Sequence, residues 1–331
     1  MTVKTVTFDD IVAAQRRIAG SVYTTPMTWS ASLSELCEVP VHIKLEHQQR
    51  TGSFKLRGAT NAIMCLSDIQ KERGVVGVST GNHGRGLACA ARENGVRCSV
   101  VMSNLVPQNK IDGIKAQGAE VRIVGSSQDD AQVEANRLVE EQGMTMVPPF
   151  DHPDIISGQG TLGLEMAADF PDMACAIIQV SGGGLISGIA AALKARITGV
   201  KVIGVSMERG AAMYESQKAG KPVLVPELAT LADSLGGGIG VNNAHTFQMT
   251  RNLVDDFVLV SEKEISNAIR HAYWSENQII EGSGSVGIAA LISGKVKPQG
   301  PTMILLSGGN IDINLHHRII SGEDVDVTAE D

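Results

Sequence analysis

The chain reads as an α/β protein with mainly parallel sheets, helices on both faces and two domains. Three observations predict this. Short β-branched runs alternate with stretches of helical period, as a parallel sheet with helical crossovers requires. One stretch, residues 74–147, repeats that alternation as a compact β-α-β-α-β-α-β series. At 331 residues the chain also exceeds one typical domain.

Taken in order, the strand candidates are residues 41–45, 75–78, 99–102, 120–124, 176–180, 200–205 and 302–306. Helical period marks residues 84–93, 128–141, 185–196 and 261–276. The last of these opens on Ser261-Glu262-Lys263-Glu264, a capping box. Pro148-Pro149 marks the chain's return from the 74–147 series, so residues 1–73 and 148–320 are expected to form a large discontinuous domain and 74–147 a small inserted one. Residues 321–331, with five acids in eleven positions, read as a disordered acidic tail.

Composition narrows the partners. Thirty-six glycines and 3% aromatics suit tight loops around a small ligand. A net charge of −8 without a basic cluster argues against nucleic acid and anionic membrane. The five cysteines contain no C-x-x-C pair, which fits reduced, buried thiols in a cytoplasm. No apolar h-region follows Met1. The longest apolar run, 174–180, falls far short of the roughly 20 residues of a spanning helix. The expectation is a cytoplasmic protein with a small-molecule substrate.

Four loops carry candidate chemistry. The first is Thr51-Gly52-Ser53-Phe54-Lys55-Leu56-Arg57-Gly58. A lysine amine attacks carbonyls only where burial or nearby cations favour its neutral form. Arg57 is the candidate cation, and Phe54 offers apolar cover for a flat ligand. Taken alone, a lysine beside glycines is as readily a solvated loop residue. The second is Ser181-Gly182-Gly183-Gly184-Leu185, between an apolar strand and a helix. Successive backbone N–H groups there can curl around a phosphate at a helix N-terminus. A tight turn would need fewer glycines. No Gly-Lys-Ser/Thr follows, so it is not a Walker loop. The G-x-G-x-x-G spacing at Gly282, Gly284 and Gly287 follows residues 267–278, which read as helix, and no acid lies between Gly287 and Asp312 to hold a ribose.

The third is Ser79-Thr80-Gly81-Asn82-His83-Gly84, at a helix start, where amides and hydroxyls can bind a carboxylate and Asn82 a phenolic oxygen. The fourth, Ser307-Gly308-Gly309-Asn310, could place a hydroxyl on a ring nitrogen. Either could equally be a plain turn. The histidines have no metal spacing such as H-E-x-x-H.

In this order, with Phe150-Asp151-His152-Pro153 and Gly158-Gln159-Gly160-Thr161 between them, these motifs resemble the fold-type II pyridoxal-phosphate enzymes, in the threonine dehydratase and serine racemase branch. The likeness runs from about residue 8 to 320. It implies a tryptophan-synthase-β-like fold and pyridoxal 5'-phosphate on Lys55, with Phe54 beside it. It further implies Ser79, Thr80, Gly81, Asn82 and His83 around the ring and substrate carboxylate, and Ser181, Gly182, Gly183, Gly184 and Leu185 around the phosphate. Ser307 would meet the ring nitrogen, and Glu281 would be a carboxylate near the ring. A serine there does not force protonation of that nitrogen, which favours prompt β-elimination over a long-lived carbanion. Lys55 would remove the Cα proton, and Ser79 or the cofactor phosphate would protonate the departing hydroxide.

The implied product set is a 2-oxo acid and ammonia from a small β-hydroxy-α-amino acid. A serine or aspartate racemase is the same-fold alternative, with Thr80 as the opposite-face group. A non-catalytic phosphate-ligand binder is the alternative from another class. Ser206 and Ala212 stand where many relatives bind a divalent cation, so no metal is expected there, with Glu208 the one reservation. Asp233-Ser234-Leu235-Gly236-Gly237-Gly238 and the loop ending in Arg85 look most like hydroxyectoine-utilisation and 3-hydroxyaspartate dehydratases. Arg85 could then pair with a second substrate carboxylate, or lie on a helix surface. The likeness also implies a homodimer.

Overall fold

The apolar runs collect into two sheets in a computed structural model that describes residues 5–79, 81–104, 106 and 108–327. Along the chain come α1 (Phe8–Ile18), β1 (Met27–Trp29), α2 (Ala31–Cys37), β2 (Val41–Lys44), α3 (Lys55–Met64) and α4 (Asp68–Arg73). Then follow β3 (Val75–Val78), α5 (Asn82–Glu93), β4 (Cys98–Met102), α6 (Gln108–Lys115), β5 (Glu120–Ile123), α7 (Gln128–Gln142) and β6 (Thr145–Met146). The remainder is α8 (Pro153–Asp169), β7 (Cys175–Gln179), α9 (Gly184–Arg196), β8 (Lys201–Met207), α10 (Ala212–Ala219), α11 (Thr246–Leu253), β9 (Asp256–Val260), α12 (Glu262–Trp274), α13 (Gly282–Ile292), β10 (Thr302–Leu305) and α14 (Ile313–Ile320).

The larger sheet has the order β1-β2-β10-β7-β8-β9, parallel except for the antiparallel edge strand β1. The smaller has the order β5-β4-β3-β6, all parallel. Strands β3, β4, β7 and β10 are buried along their whole length, as expected where helices cover both faces.

The site depends most on α3. Its Leu56, Ala59 and Ile63 share one apolar cluster with Leu87, Ala88 and Val100 of the smaller sheet's layers. On another face, Gly58 N–H donates to Gln159 of α8 at 3.2 Å. The helix is thus clamped between the smaller sheet and the helices of the larger one.

Arg57 departs from its expected role as the cation beside Lys55. Two residues along a helix lie on opposite faces. Its guanidinium instead points into a buried ion network, binding Glu46 at 2.6 Å and Glu165 at 2.6 Å. Lys44 joins the same network through Glu165 at 2.9 Å and the Thr25 carbonyl at 2.7 Å. The motif's arginine therefore anchors α3 from behind. The thiols also depart in part from expectation: Cys89, Cys98 and Cys175 are buried, whereas Cys37 is half-buried and Cys65 exposed. The capping box at Ser261 forms as read, but α12 ends at Trp274, and Asn277 turns left-handed at φ 55°.

Candidate active site

Lys55 is brought to the fourth loop by backbone pairing. Ser53 bridges Gly308, Phe54 N–H donates to the Ser307 carbonyl at 3.1 Å, and Gly309 N–H donates to the Gly52 carbonyl at 2.9 Å. Segments some 250 residues apart thus lie side by side. The result is one cavity walled by Phe54, Lys55, Asn82, Ser181, Gly182, Gly183, Gly184, Leu185, Glu281 and Ser307.

The Lys55 amine donates to the Pro149 carbonyl at 2.8 Å and stands 5.3 Å from the Phe54 ring centre. Burial lowers it to about 8, opposed by the negative charge of Glu281. Glu281 is itself pushed up to about 7, first by burial and then by Asp233, with Asn82, Lys110 and the Asn310 N–H pulling the other way. A weakened negative charge and a desolvated amine thus line the same cavity.

The glycine loop forms a cradle at the N-terminus of α9. Gly183 is its N-cap, left-handed at φ 88°, with no side chain capping the first turn. Those N–H groups are left for a ligand's anion. A Cβ at Gly184 would stand 2.9 Å from the Phe150 carbonyl, so the loop tolerates no side chain there.

Asn82 Nδ2 donates to Glu281 Oε1 at 2.7 Å, while Asn310 Nδ2 reaches Asn82 Oδ1 at 2.6 Å and the Thr51 carbonyl at 3.0 Å. Asn310 N–H also donates to Glu281 Oε2 at 3.2 Å. Asn310 therefore joins the lysine loop, the asparagine loop and Glu281. Ser79 Oγ caps the start of α5, accepting from Gly81 N–H at 3.3 Å and Gly84 N–H at 2.9 Å. Ser79 is not among the described residues that wall the cavity.

Not every expected residue faces the cavity. Thr80 lies outside the described residues. Gly81 contributes only the N-cap of α5. His83 turns the other way: its Nε2 meets the Val147 carbonyl at 2.9 Å, and burial, then the Lys55 charge, lower it to about 3. It is a neutral core residue. Arg85 is half-buried, donating to Asn310 Oδ1 at 2.9 Å, one layer behind Asn82. Glu208 binds Lys295 at 3.1 Å, and Ser206 is buried against Met207.

Two wall residues escaped the sequence reading, Gln179 and Ser283, whereas Phe150, Ser234 and Leu235 belong to loops it had singled out. Buried side-chain atoms Gln179 Oε1 and Ser283 Oγ have no hydrogen-bond partner among the described residues. Gln179 carried a signal, being a polar residue that ends an apolar strand just before a glycine loop. Ser283 sat unnoticed between Gly282 and Gly284.

A desolvated lysine amine, an uncapped glycine cradle and unpartnered polar atoms in one wall fit an aldehyde cofactor that also carries a phosphate and a polar ring. Fold and site together define an enzyme that uses such a cofactor. The chain belongs to the family described as "Pyridoxal-phosphate dependent enzyme", whose model matches residues 18–308. It is 57% identical over 324 residues to a Sinorhizobium fredii protein named "Putative threonine dehydratase", covering 98% of this chain and 97% of that one. It is 39% identical to the catabolic L-threonine dehydratase of Escherichia coli, over 93% of this chain and 94% of the relative. Maize serine racemase superposes with a TM-score of 0.91 at 32% identity, covering 96% of this chain and 98% of the racemase. Among the described residues no helix is long and apolar enough to cross a membrane.

Proposed function

We propose that the chain is a dehydratase that eliminates water from a small β-hydroxy-α-amino acid and releases ammonia and a 2-oxo acid. The observation that carries this reading is the single cavity in which the Lys55 amine, Asn82, the glycine loop and the Ser307 hydroxyl meet. When bound, pyridoxal phosphate supplies the carbonyl that takes the substrate amine and the electron sink that acidifies its Cα–H. The chain's own groups do the rest. Gly182, Gly183, Gly184 and Leu185 hold the phosphate by backbone N–H groups at the α9 terminus, and Asn82 holds the phenolic edge. Lys55 Nζ takes the proton from Cα. The bond from Cβ to its hydroxyl oxygen then breaks, and that oxygen leaves as water with a proton from Ser79 Oγ or the cofactor phosphate. The proton held by Lys55 Nζ makes good that loss. Water hydrolyses the freed enamine, as its imine tautomer, to the 2-oxo acid and ammonia.

Relatives named for threonine support threonine as the substrate, with serine as its smaller analogue. For 3-hydroxyaspartate or a hydroxyectoine-derived acid, Arg85 would meet the second carboxylate only by exchanging Asn310 for it. A racemase reading is supported by the likeness to maize serine racemase. The same proposal takes residues 74–147 as a small domain carrying the asparagine loop, the chain as a homodimer, and the cytoplasm as its compartment.

The test is release of ammonia and 2-oxo acid by pure holoenzyme from L-threonine, L-serine and the stereoisomers of 3-hydroxyaspartate, with D-amino acid formation followed in parallel. Release from threonine or serine is the expected outcome. Release from hydroxyaspartate alone would move Arg85 into the substrate site. D-isomer formation without elimination would replace the dehydratase reading by the racemase one.

A further inference from the structure

We propose that Asp151 is a positioning residue for the phosphate cradle, its carboxylate tying together the two walls that enclose Gly182, Gly183 and Gly184. The inference rests on the cofactor reading of this cavity and not on the choice of substrate. Asp151 belongs to the motif Phe150-Asp151-His152-Pro153, where the chain passes from residues 74–147 into α8.

The glycine loop lies between these walls. One is Phe150: a Cβ at Gly182 would run into its ring, and a Cβ at Gly184 would stand 2.9 Å from its carbonyl oxygen. The other is α11 with Met213 of α10. A Cβ at Gly183 would stand 3.0 Å from Thr246 Cβ, 3.0 Å from Thr250 Oγ1 and 2.7 Å from Met213 Cε. Thr246 and Thr250 are fully buried. Ser187 Oγ, in the first turn of α9, meets Thr250 Oγ1 at 3.2 Å. Helix α11 is thus seated against the helix that the glycine loop opens.

Asp151, next to Phe150 in the chain, reaches from the first wall to the second. Its Oδ2 accepts from Ala244 N–H at 2.6 Å, and its Oδ1 from His245 N–H and Thr246 N–H, both at 2.9 Å. His245, the N-cap residue of α11, caps nothing with its own side chain. An aspartate 95 residues before Thr246 takes that place. A local cap would have satisfied α11 and left the walls unconnected. An ionised carboxylate accepting three N–H bonds at a helix start is a firm anchor. The segment is held at its front as well, because the Pro149 carbonyl accepts from the Lys55 amine at 2.8 Å. Three consecutive residues therefore touch the lysine, the glycine loop and the helix behind that loop.

Backbone N–H groups grip an anion best when their spacing is fixed beforehand, since a loop that must be ordered on binding loses part of the binding free energy. With Asp151 in place, the width of the cradle is set before the phosphate arrives. Without it, Phe150 and α11 move independently, and the N–H groups no longer converge on one point.

The experiment follows holoenzyme by the 31P resonance of its bound pyridoxal phosphate, by the cofactor dissociation constant and by the melting temperature. The resonance reports how the phosphate is held; the melting temperature reports the fold. Asp151→Ala removes all three hydrogen bonds, and is expected to weaken cofactor binding by about tenfold and to move the resonance toward that of free cofactor. Asp151→Asn keeps Oδ1 as acceptor for His245 and Thr246, and should lose only about threefold. A folded Asp151→Ala holoenzyme with wild-type affinity and resonance would overturn the proposal, even if its melting temperature fell. Should Asp151→Ala not fold, Asp151→Asn decides: wild-type affinity and resonance overturn the proposal, and a several-fold loss with a displaced resonance supports it. A wild-type protein that shows no bound resonance would overturn the cofactor reading itself, and the proposal with it.

Discussion

At Lys55 two opposing influences act on one amine. Removal of water favours the neutral form, while the Glu281 carboxylate favours the cation, and burial prevails to leave the amine at about 8. Only the neutral amine captures an aldehyde. The rate at which cofactor-free protein captures pyridoxal phosphate should therefore climb with pH through about 8 and level off above it. Stopped-flow absorbance measures this directly. In Glu281→Gln the charge that raises the amine is gone, so the midpoint should move to lower pH; a midpoint that stays put or rises would contradict the assigned balance. Lys55→Ala should lose the cofactor-mass adduct that borohydride fixes on the wild-type peptide.

Among the elements, α3 owes its position to its buried rear face. Arg57 is fully buried, with Glu46 beneath it equally so. Removing one member of such a pair leaves a charge stranded in the interior, at a cost of about 3–5 kcal/mol. Urea unfolding of Arg57→Met should show a loss of that size, and a loss below about 1 kcal/mol would mean that the network does not anchor the helix. The start of α9 makes a different demand. In Gly184→Ala the new Cβ meets the Phe150 backbone, which is not free to shift. Cofactor affinity measured by titration should drop by at least about tenfold, or 1.4 kcal/mol. Affinity equal to wild type would place the phosphate elsewhere.

Across the whole molecule, the smaller sheet's layers reach those of the larger one over the cavity by further polar contacts besides the hydrogen bonds of Asn82 and Arg85 to Glu281 and Asn310. Lys110 of α6 pairs with Asp233, and Asn82 Nδ2 lies 3.4 Å from Ser234 Oγ. The ion pair is partly solvated, so it adds at most about 1 kcal/mol to stability. Asp233→Ala should lower the melting temperature by less than about 3 °C. If this contact keeps the cavity shut, the same variant should release cofactor several times faster, as seen by transfer to an apo-acceptor enzyme. A melting shift without faster release would reduce the pair to a stabilising contact.

What could be read without coordinates was local. The strand at Val75–Val78 was legible in full, because four apolar residues between glycine and serine leave little choice. Strand β9 was missed, since this edge strand is only partly buried along most of its length and opens on Asp256 just after Asp255, and β1 and β6 were missed as runs of three and two residues. The lysine, glycine and asparagine loops were legible because each carries its chemistry in consecutive residues. By itself the sequence determined the α/β class, the cofactor family and the order of the loops, for these follow from periodicity and backbone chemistry over a few residues. Tertiary structure alone decided that Arg57 anchors rather than activates, that His83 turns into the core and that Gln179, Ser283 and Asn310 join the site. Those outcomes depend on which faces pack together between segments far apart in the chain, 64 residues for His83 and Val147 and 228 for Asn310 and Asn82, where burial and unmet hydrogen bonds, not sequence spacing, choose the partner.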